Sequence, residues 1–402
     1  MLDSFSAAGL LLDTLALTGD AAEPDNEIAR RWHGAPHHDL VALAVSEGVA
    51  LWLARRLQLF SVRLESGAQK TLAAAATTVR ASTMRVDAAL ERTVALLQDD
   101  SIEVVLLKSV ALRRCTSRLP MADARASSDV DVLVREQDAD RAVDVLGRNG
   151  FAFLTPDAAH AMLDRHHRAP MVDRWGVGIE LHVTTDPRLA RSEAWARAND
   201  AATDLPFSAR MVRVPNDFEL LSNAVAHAHK HAYVVEEPDL RLKYWLDGAV
   251  LMRGGTIDSA RVLSRLRTDD LAPHGFAVSW LRWALRLAGL PSSIPHDDGR
   301  GGHFDLQRLL GWRLLIRGIA ERSPRWHARL TQEAKRHELD LPRLASPPDA
   351  SAIGRVRRGA ATLAARARYA SWYALLPETV MTGASVDPVE RDSGVRLPDV
   401  PA

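Results

Sequence analysis

Two aspartates one residue apart, Asp129 and Asp131, interrupt the otherwise apolar stretch SSDVDVLV between Ser127 and Val134. No other feature of the chain restricts its fold so much. The valines at 130, 132 and 134 favour an extended backbone, and side chains on a strand alternate between its two faces. Both carboxylates therefore share one face, and the valines cover the other. Like charges held side by side resist ionisation unless a cation compensates them, so a bound metal is the natural physical reading. The plain alternative is a pair of strand-end carboxylates making turn hydrogen bonds.

The surroundings place this strand in a compact α/β core flanked by helices. From about residue 38 to residue 98 the apolar residues recur at intervals of three and four, the pattern of packed helices. At DDSIEVVLLKS the pattern changes to a β-branched run, Ile102 to Leu107, which reads as a buried strand. A short helix near Val110 to Arg114, the Asp-x-Asp strand and an amphipathic helix from about Asp138 to Arg148 follow, the last ended by Asn149-Gly150. The runs RHHRAPMVD and VGIELHVTT, joined near Trp175-Gly176, read as a hairpin. After about residue 205 the chain reads as helical again. The expected organisation is a helical region over 1–98, a core over 99–204, a second helical domain over 205–380 and a mobile tail over 381–402.

A third carboxylate, Glu180 in GIELHV, lies inside an apolar strand, and His182 shares its face by the two-residue rule. Three inward carboxylates at Asp129, Asp131 and Glu180 favour a hard divalent ion, Mg²⁺ or Mn²⁺, over zinc.

These residues resemble the DNA-polymerase-β-like nucleotidyltransferases, and within them an uncharacterised bacterial nucleotidyltransferase family. The resemblance rests on VVLLKSVAL, Arg125, DVDVLV and the strand carrying Glu180-Leu181-His182, in that order, and extends over roughly residues 100–250 through ELLSNAVAHAHKH and LKYWLDGAVLM. It implies an α+β fold, a mixed sheet with flanking helices, lying between N-terminal and C-terminal helical regions. It also implies that Asp129, Asp131 and Glu180 are catalytic and hold two metal ions. Lys108, Ser109, Arg125, Lys230 and Lys243 would bind the nucleotide. The expected reaction moves a nucleoside monophosphate from a nucleoside triphosphate, ATP being the simplest case, to an unidentified hydroxyl acceptor and releases pyrophosphate. One departure stands out: the family's glycine after the lysine is Ser109 here. Glycine lets a backbone approach a triphosphate closely, so a degenerate nucleotide- or partner-binding protein on the same scaffold is the alternative.

Composition narrows the partners. The 51 basic and 51 acidic side chains cancel, which gives no global attraction to long nucleic acid. Cys115 is the sole cysteine, so no intrachain disulfide or cysteine-rich zinc site can form, consistent with a reducing cytoplasm. The N-terminal stretch lacks a basic region before its apolar run, unlike a signal peptide, and no run reaches the ~20 apolar residues of a membrane span. The basic amphipathic segment over 354–376 reads as a packed surface helix, with a membrane-surface role as the alternative. HAHKH invites a rival reading as a histidine-rich metal hydrolase. On a helix, however, His227 and His231 share a face that His229 does not.

Overall fold

The computed structural model describes residues 3–17, 26–115, 124–154, 168–185, 190–200, 202–233, 240–254, 257–292, 294, 306–311 and 313–314. The expected tail over 381–402, the amphipathic segment over 354–376, and His166 and His167 lie outside them.

The chain opens with helices α1 (Ser4–Leu15), α2 (Asn26–Trp32), α3 (His37–Ser46), α4 (Ala50–Leu59) and α5 (Ser66–Asp99). Asp3 caps α1 by accepting hydrogen bonds from the backbone N–H groups of Phe5 and Ser6, both at 2.9 Å. Helix α5 buries Ala68, Leu72, Ala76, Thr83, Val86, Leu90, Val94 and Leu97 along one stripe. It packs against α3, α4 and the sheet.

The sheet is assembled from β1 (Val105–Leu106), β2 (Asp129–Leu133), β3 (Ala152–Phe153), β4 (Met171–Val172), β5 (Gly178–His182), β6 (Ala202–Phe207) and β7 (Arg210–Pro215). Its order is β3-β4-β5-β2-β1-β7-β6. The β2–β5 and β1–β7 pairings are parallel and the others antiparallel, so the sheet is mixed and the architecture α+β, as expected. Helix α6 (Lys108–Cys115) follows β1, and α7 (Ala139–Arg148) follows β2. Gly150, at φ 82°, stops α7 in a backbone conformation that other residues rarely adopt. Helix α8 (Arg191–Asp200) precedes the β6–β7 hairpin, and α9 (Asp217–Tyr233), α10 (Lys243–Gly254), α11 (Ser259–Thr268) and α12 (His274–Leu287) close the described chain, with a further helical turn at 306–311. None of the described helices is long and apolar enough to cross a membrane.

Two details differ from the sequence reading. The run Ile102 to Leu107 contributes ladder pairing only at Val105–Leu106, although all but Glu103 are buried. Helix was expected from about residue 205, yet the sheet continues through the β6–β7 hairpin to Pro215 before helices resume. Strand β6 is an edge strand carrying Asp204 and Pro206, and such an edge lacks the apolar alternation that announces a half-buried strand.

The two faces of β2 and β5 meet different surroundings. Val130, Val132, Ile179 and Leu181 are fully or almost fully buried in the main core, each side chain contributing roughly 1.5–3 kcal/mol by leaving water. The other face carries Asp129, Asp131, Glu180 and His182. It ends on a small separate apolar cluster of Val105, Leu107, Leu133, Trp195 and Ala198. Helix α10 packs on α12, where Trp245 and Trp280 stack with ring centroids 6.4 Å apart.

Candidate active site

The site begins at the end of β1. The Leu107 N–H donates to the Asp131 carbonyl at 3.0 Å, keeping the chain beside β2, and the next residue, Lys108, turns into α6 with φ 47°. A non-glycine residue in that region costs about 1–2 kcal/mol. The turn carries the Lys108 ammonium to the carboxylate face: Nζ lies 2.5 Å from Asp131 Oδ1 and 3.1 Å from Glu180 Oε2.

Those two oxygens meet because Asp131 and Glu180 are register partners across β2 and β5. His182, one step further along the same face, brings Nε2 to 2.8 Å from Asp131 Oδ1 and 3.2 Å from Glu180 Oε2. Asp131 and His182 are 1% and 2% exposed, whereas Glu180 and Lys108 keep solvent contact. Asp131, Glu180 and His182 each offer one ligand atom, all within 4.8 Å of one another. The second oxygen of Asp131, Oδ2, is buried with no hydrogen-bond partner among the described residues. An orphaned carboxylate oxygen beside a second carboxylate and an imidazole is a donor set that fits a divalent cation.

The electrostatics are those of a site that expects positive charge. Burial and the neighbouring Asp131 and Glu180 lift the Asp129 carboxyl to about 6, against the opposing pull of Lys108 and Arg125. Burial works against the Lys108 charge, but Asp131, Glu180 and Asp129 together hold its pKa well above the ordinary lysine value.

Arg125, expected to meet phosphate, has another partner. Its guanidinium grips Asp247 on α10 in a fork, Nε to Oδ1 at 3.0 Å and Nη2 to Oδ2 at 2.9 Å, and also donates to the Ala126 carbonyl. Both side chains are nearly buried. Burial disfavours the guanidinium charge, but Asp247 outweighs that cost and raises the pKa. The side chain of Arg125 is thus a strut between the core and the C-terminal helices. The hydroxyl of Ser109 is likewise engaged, 2.7 Å from that of Ser127 in a buried pair. Ser109 is absent from the positive-φ positions, and the left-handed turn falls on Lys108 instead. The backbone therefore does not require glycine at 109.

Helices α9 and α10 form the facing wall. His227 and His231 lie edge to face with centroids 4.4 Å apart, and Tyr244 packs on both, at 5.4 and 5.3 Å. His229 turns away to Phe276, as helical spacing predicts. Burial, then His231, Lys108, Lys230 and Lys243, push the His227 pKa well below its ordinary value. Lys230 and Lys243 therefore direct their fields at the same region as Lys108. Lys243 also holds its ammonium 5.3 Å from the centre of the Tyr244 ring, with its stem on Gly48. Among the described residues, the metal-spaced group is the strand cluster and not HAHKH, which removes the support for a histidine-centred hydrolase.

Sequence reasoning named Asp129, Asp131, Glu180 and Lys108, which the structure brings to one face. It left out Asp247, Tyr244 and Ser127. Asp247 carried a readable signal, a lone carboxylate inside the apolar helical run YWLDGAVLM.

An Asp-x-Asp strand paired with a carboxylate-bearing strand on a mixed sheet, with a lysine at the preceding strand-to-helix turn, is the arrangement that the resemblance to nucleotidyltransferases implies. The sequence profile of a family described as "uncharacterised nucleotidyltransferase" matches residues 33–281, more than half of the chain, and the chain belongs to that family. No curated protein and no solved structure matches it.

Proposed function

We propose that the protein is a metal-dependent enzyme that transfers a nucleoside monophosphate from a nucleoside triphosphate to a hydroxyl on a small molecule, peptide or protein. The observation that carries this reading is the convergence of Asp131 and Glu180 on one cationic point, with Asp129 on the same face of the strand.

Asp129, Asp131 and Glu180 would hold Mg²⁺ or Mn²⁺, two ions in the full complex. Bound divalent ions would supply charge neutralisation at the α-phosphate and at the attacking and leaving oxygens. In the reaction the acceptor oxygen forms a bond to the α-phosphorus and the bond from that phosphorus to the bridging oxygen of the β-phosphate breaks. Pyrophosphate leaves, and the acceptor proton passes to a base on the carboxylate face, for which Glu180, with its solvent contact, is the candidate. Lys108, Lys230 and Lys243 would balance the negative charge of the triphosphate. The first N–H groups of α6, those of Ser109 and Val110, lack intrahelical acceptors by helix geometry and suit an anion. Arg125 would act through its hold on Asp247, fixing the C-terminal helices against the core.

The test is release of labelled pyrophosphate from each of the four common nucleoside triphosphates with Mg²⁺ or Mn²⁺, over a panel of hydroxylated acceptors and with the protein itself as acceptor. Metal-dependent release that disappears in Asp131→Asn supports the reading. Binding of nucleotide without turnover under every condition overturns it in favour of a catalytically degenerate member.

A further inference from the structure

We propose that His182 is a metal ligand alongside Asp131 and Glu180, and that it makes this site take a first-row transition ion in preference to Mg²⁺. The inference rests on the metal-dependent reading and goes beyond it by assigning a ligand and a metal class.

The observations are geometric. His182 Nε2 stands 2.8 Å from Asp131 Oδ1 and 3.2 Å from Glu180 Oε2, and the Lys108 ammonium contacts the same two oxygens at 2.5 and 3.1 Å. The three potential ligand atoms lie within 4.8 Å of one another, and the lysine cation already rests against the carboxylates that an ion would engage. His182 is 2% exposed, so its ring is held by packing and comes to the site preorganised. The unpartnered Asp131 Oδ2 adds a buried acceptor to the same cluster.

The chemistry follows from the mixed donor set. Mg²⁺ prefers all-oxygen octahedra and gains little from an imidazole. First-row transition ions bind imidazole nitrogen well, with affinity rising from Mn²⁺ toward the later ions. Replacing one oxygen donor by Nε2 therefore tilts the site away from Mg²⁺. A histidine that only hydrogen-bonds to Asp131 would leave selectivity set by the carboxylates.

The experiment is pulsed electron paramagnetic resonance of Mn²⁺ added alone to the full chain, with binding curves for Mn²⁺ and for Mg²⁺ competition. The expected result is nitrogen modulation from a coordinated ring. It should change character when histidine is labelled with ¹⁵N, vanish in His182→Gln, and accompany a requirement for more than tenfold excess Mg²⁺ to displace Mn²⁺. In His182→Asp that excess should fall to less than tenfold. Mn²⁺ bound with no nitrogen coupling, or coupling that survives in folded His182→Gln, overturns the ligand role and leaves the metal-dependent reading standing. No Mn²⁺ binding at all overturns the inference, and pyrophosphate release then decides the fate of the broader reading on its own. A wild-type spectrum without nitrogen coupling overturns the ligand role even if the variants fold poorly, and where coupling is present His182→Asp serves as the second variant that must remove it.

Discussion

Asp131 and Glu180 are register partners on adjacent parallel strands, and a single ammonium, that of Lys108, bridges their side chains. The pairing fixes the separation of the two carboxylates through the backbone ladder and leaves little to side-chain choice. Removing Lys108 therefore leaves the anions in place without their resident cation. Lys108→Met should bind divalent ions more tightly in the absence of nucleotide, because no ammonium has to leave, while its affinity for nucleoside triphosphate falls. Calorimetric titration of each ligand separately reads both effects. Weaker ion binding in the variant would show that the lysine organises the carboxylates and does not compete for them.

Asp129 is held in a state that costs stability once it is ionised. Its carboxyl is lifted to about 6 from an ordinary value of 3.8, so the folded chain binds more protons than the unfolded chain between these values. The contribution of Asp129 to stability falls as pH rises through that window and is lowest above it. Asp129→Asn should stabilise the metal-free protein at pH 7 by on the order of 1 kcal/mol and should abolish metal-dependent pyrophosphate release. Denaturant unfolding at pH 4 and pH 7, compared with the parent chain, checks the sign.

His227 works in the opposite direction. Its pKa is pushed well below the ordinary histidine value of 6.5 by burial, His231 and three lysines, so the unfolded chain binds the extra proton. Its share of stability is present above about pH 6.5 and declines as pH falls below it. The difference in unfolding free energy between the parent and His227→Gln should shrink from pH 7.5 to pH 5. A difference that stays constant would mean that the ring is not held neutral.

The Arg125–Asp247 fork joins the strand region to α10 from within a nearly buried contact. Cutting one side strands a charge. Arg125→Met should lose roughly 3–5 kcal/mol of stability, and Arg125→Met combined with Asp247→Leu should regain part of it. Urea midpoints for the two variants measure the recovery.

Gly248 lies where α10 packs against Trp280 and Ala284 of α12. A Cβ there would run into Trp280 Cη2 and sit 2.7 Å from Cζ3, a rigid ring end with little room to give. Gly248→Ala should destabilise by about 1–3 kcal/mol despite its better helix propensity, and Trp280→Phe in the same chain should relieve part of the strain. Thermal unfolding of the single and double variants reads the coupling.

The parts of this molecule that were legible in sequence are those set by short-range rules. Alternation put Asp129 and Asp131 on one face, the same rule put His182 with Glu180, and a β-branched run marked the strand before Lys108. Helical spacing separated His229 from its two neighbours. What escaped depends on contacts between distant segments. Nothing near Arg125 announces that Asp247 will claim its guanidinium, and nothing near Ser109 announces Ser127. The β6–β7 hairpin escaped because Asp204 and Pro206 lie on an outer strand, where the pattern of a buried strand is absent. The centrality of His182 was half visible: its face could be read, but its nearness to Asp131 Oδ1 follows from the parallel register.

That register also governs when the site comes into being. Asp131 and His182 are separated by 51 residues, Lys108 and Glu180 by 72, and Arg125 and Asp247 by 122. Parallel pairing over such spans is entropically slow to form. Helices α3, α4 and α5 pack on one another through contacts closer in the chain. A chain still leaving the ribosome presents the Asp131 carboxylate well before Glu180 exists to face it. The juxtaposition of Asp131, Glu180 and His182 consequently requires the completed β2–β5 pairing, and an ion bound there would draw the population toward the completed sheet.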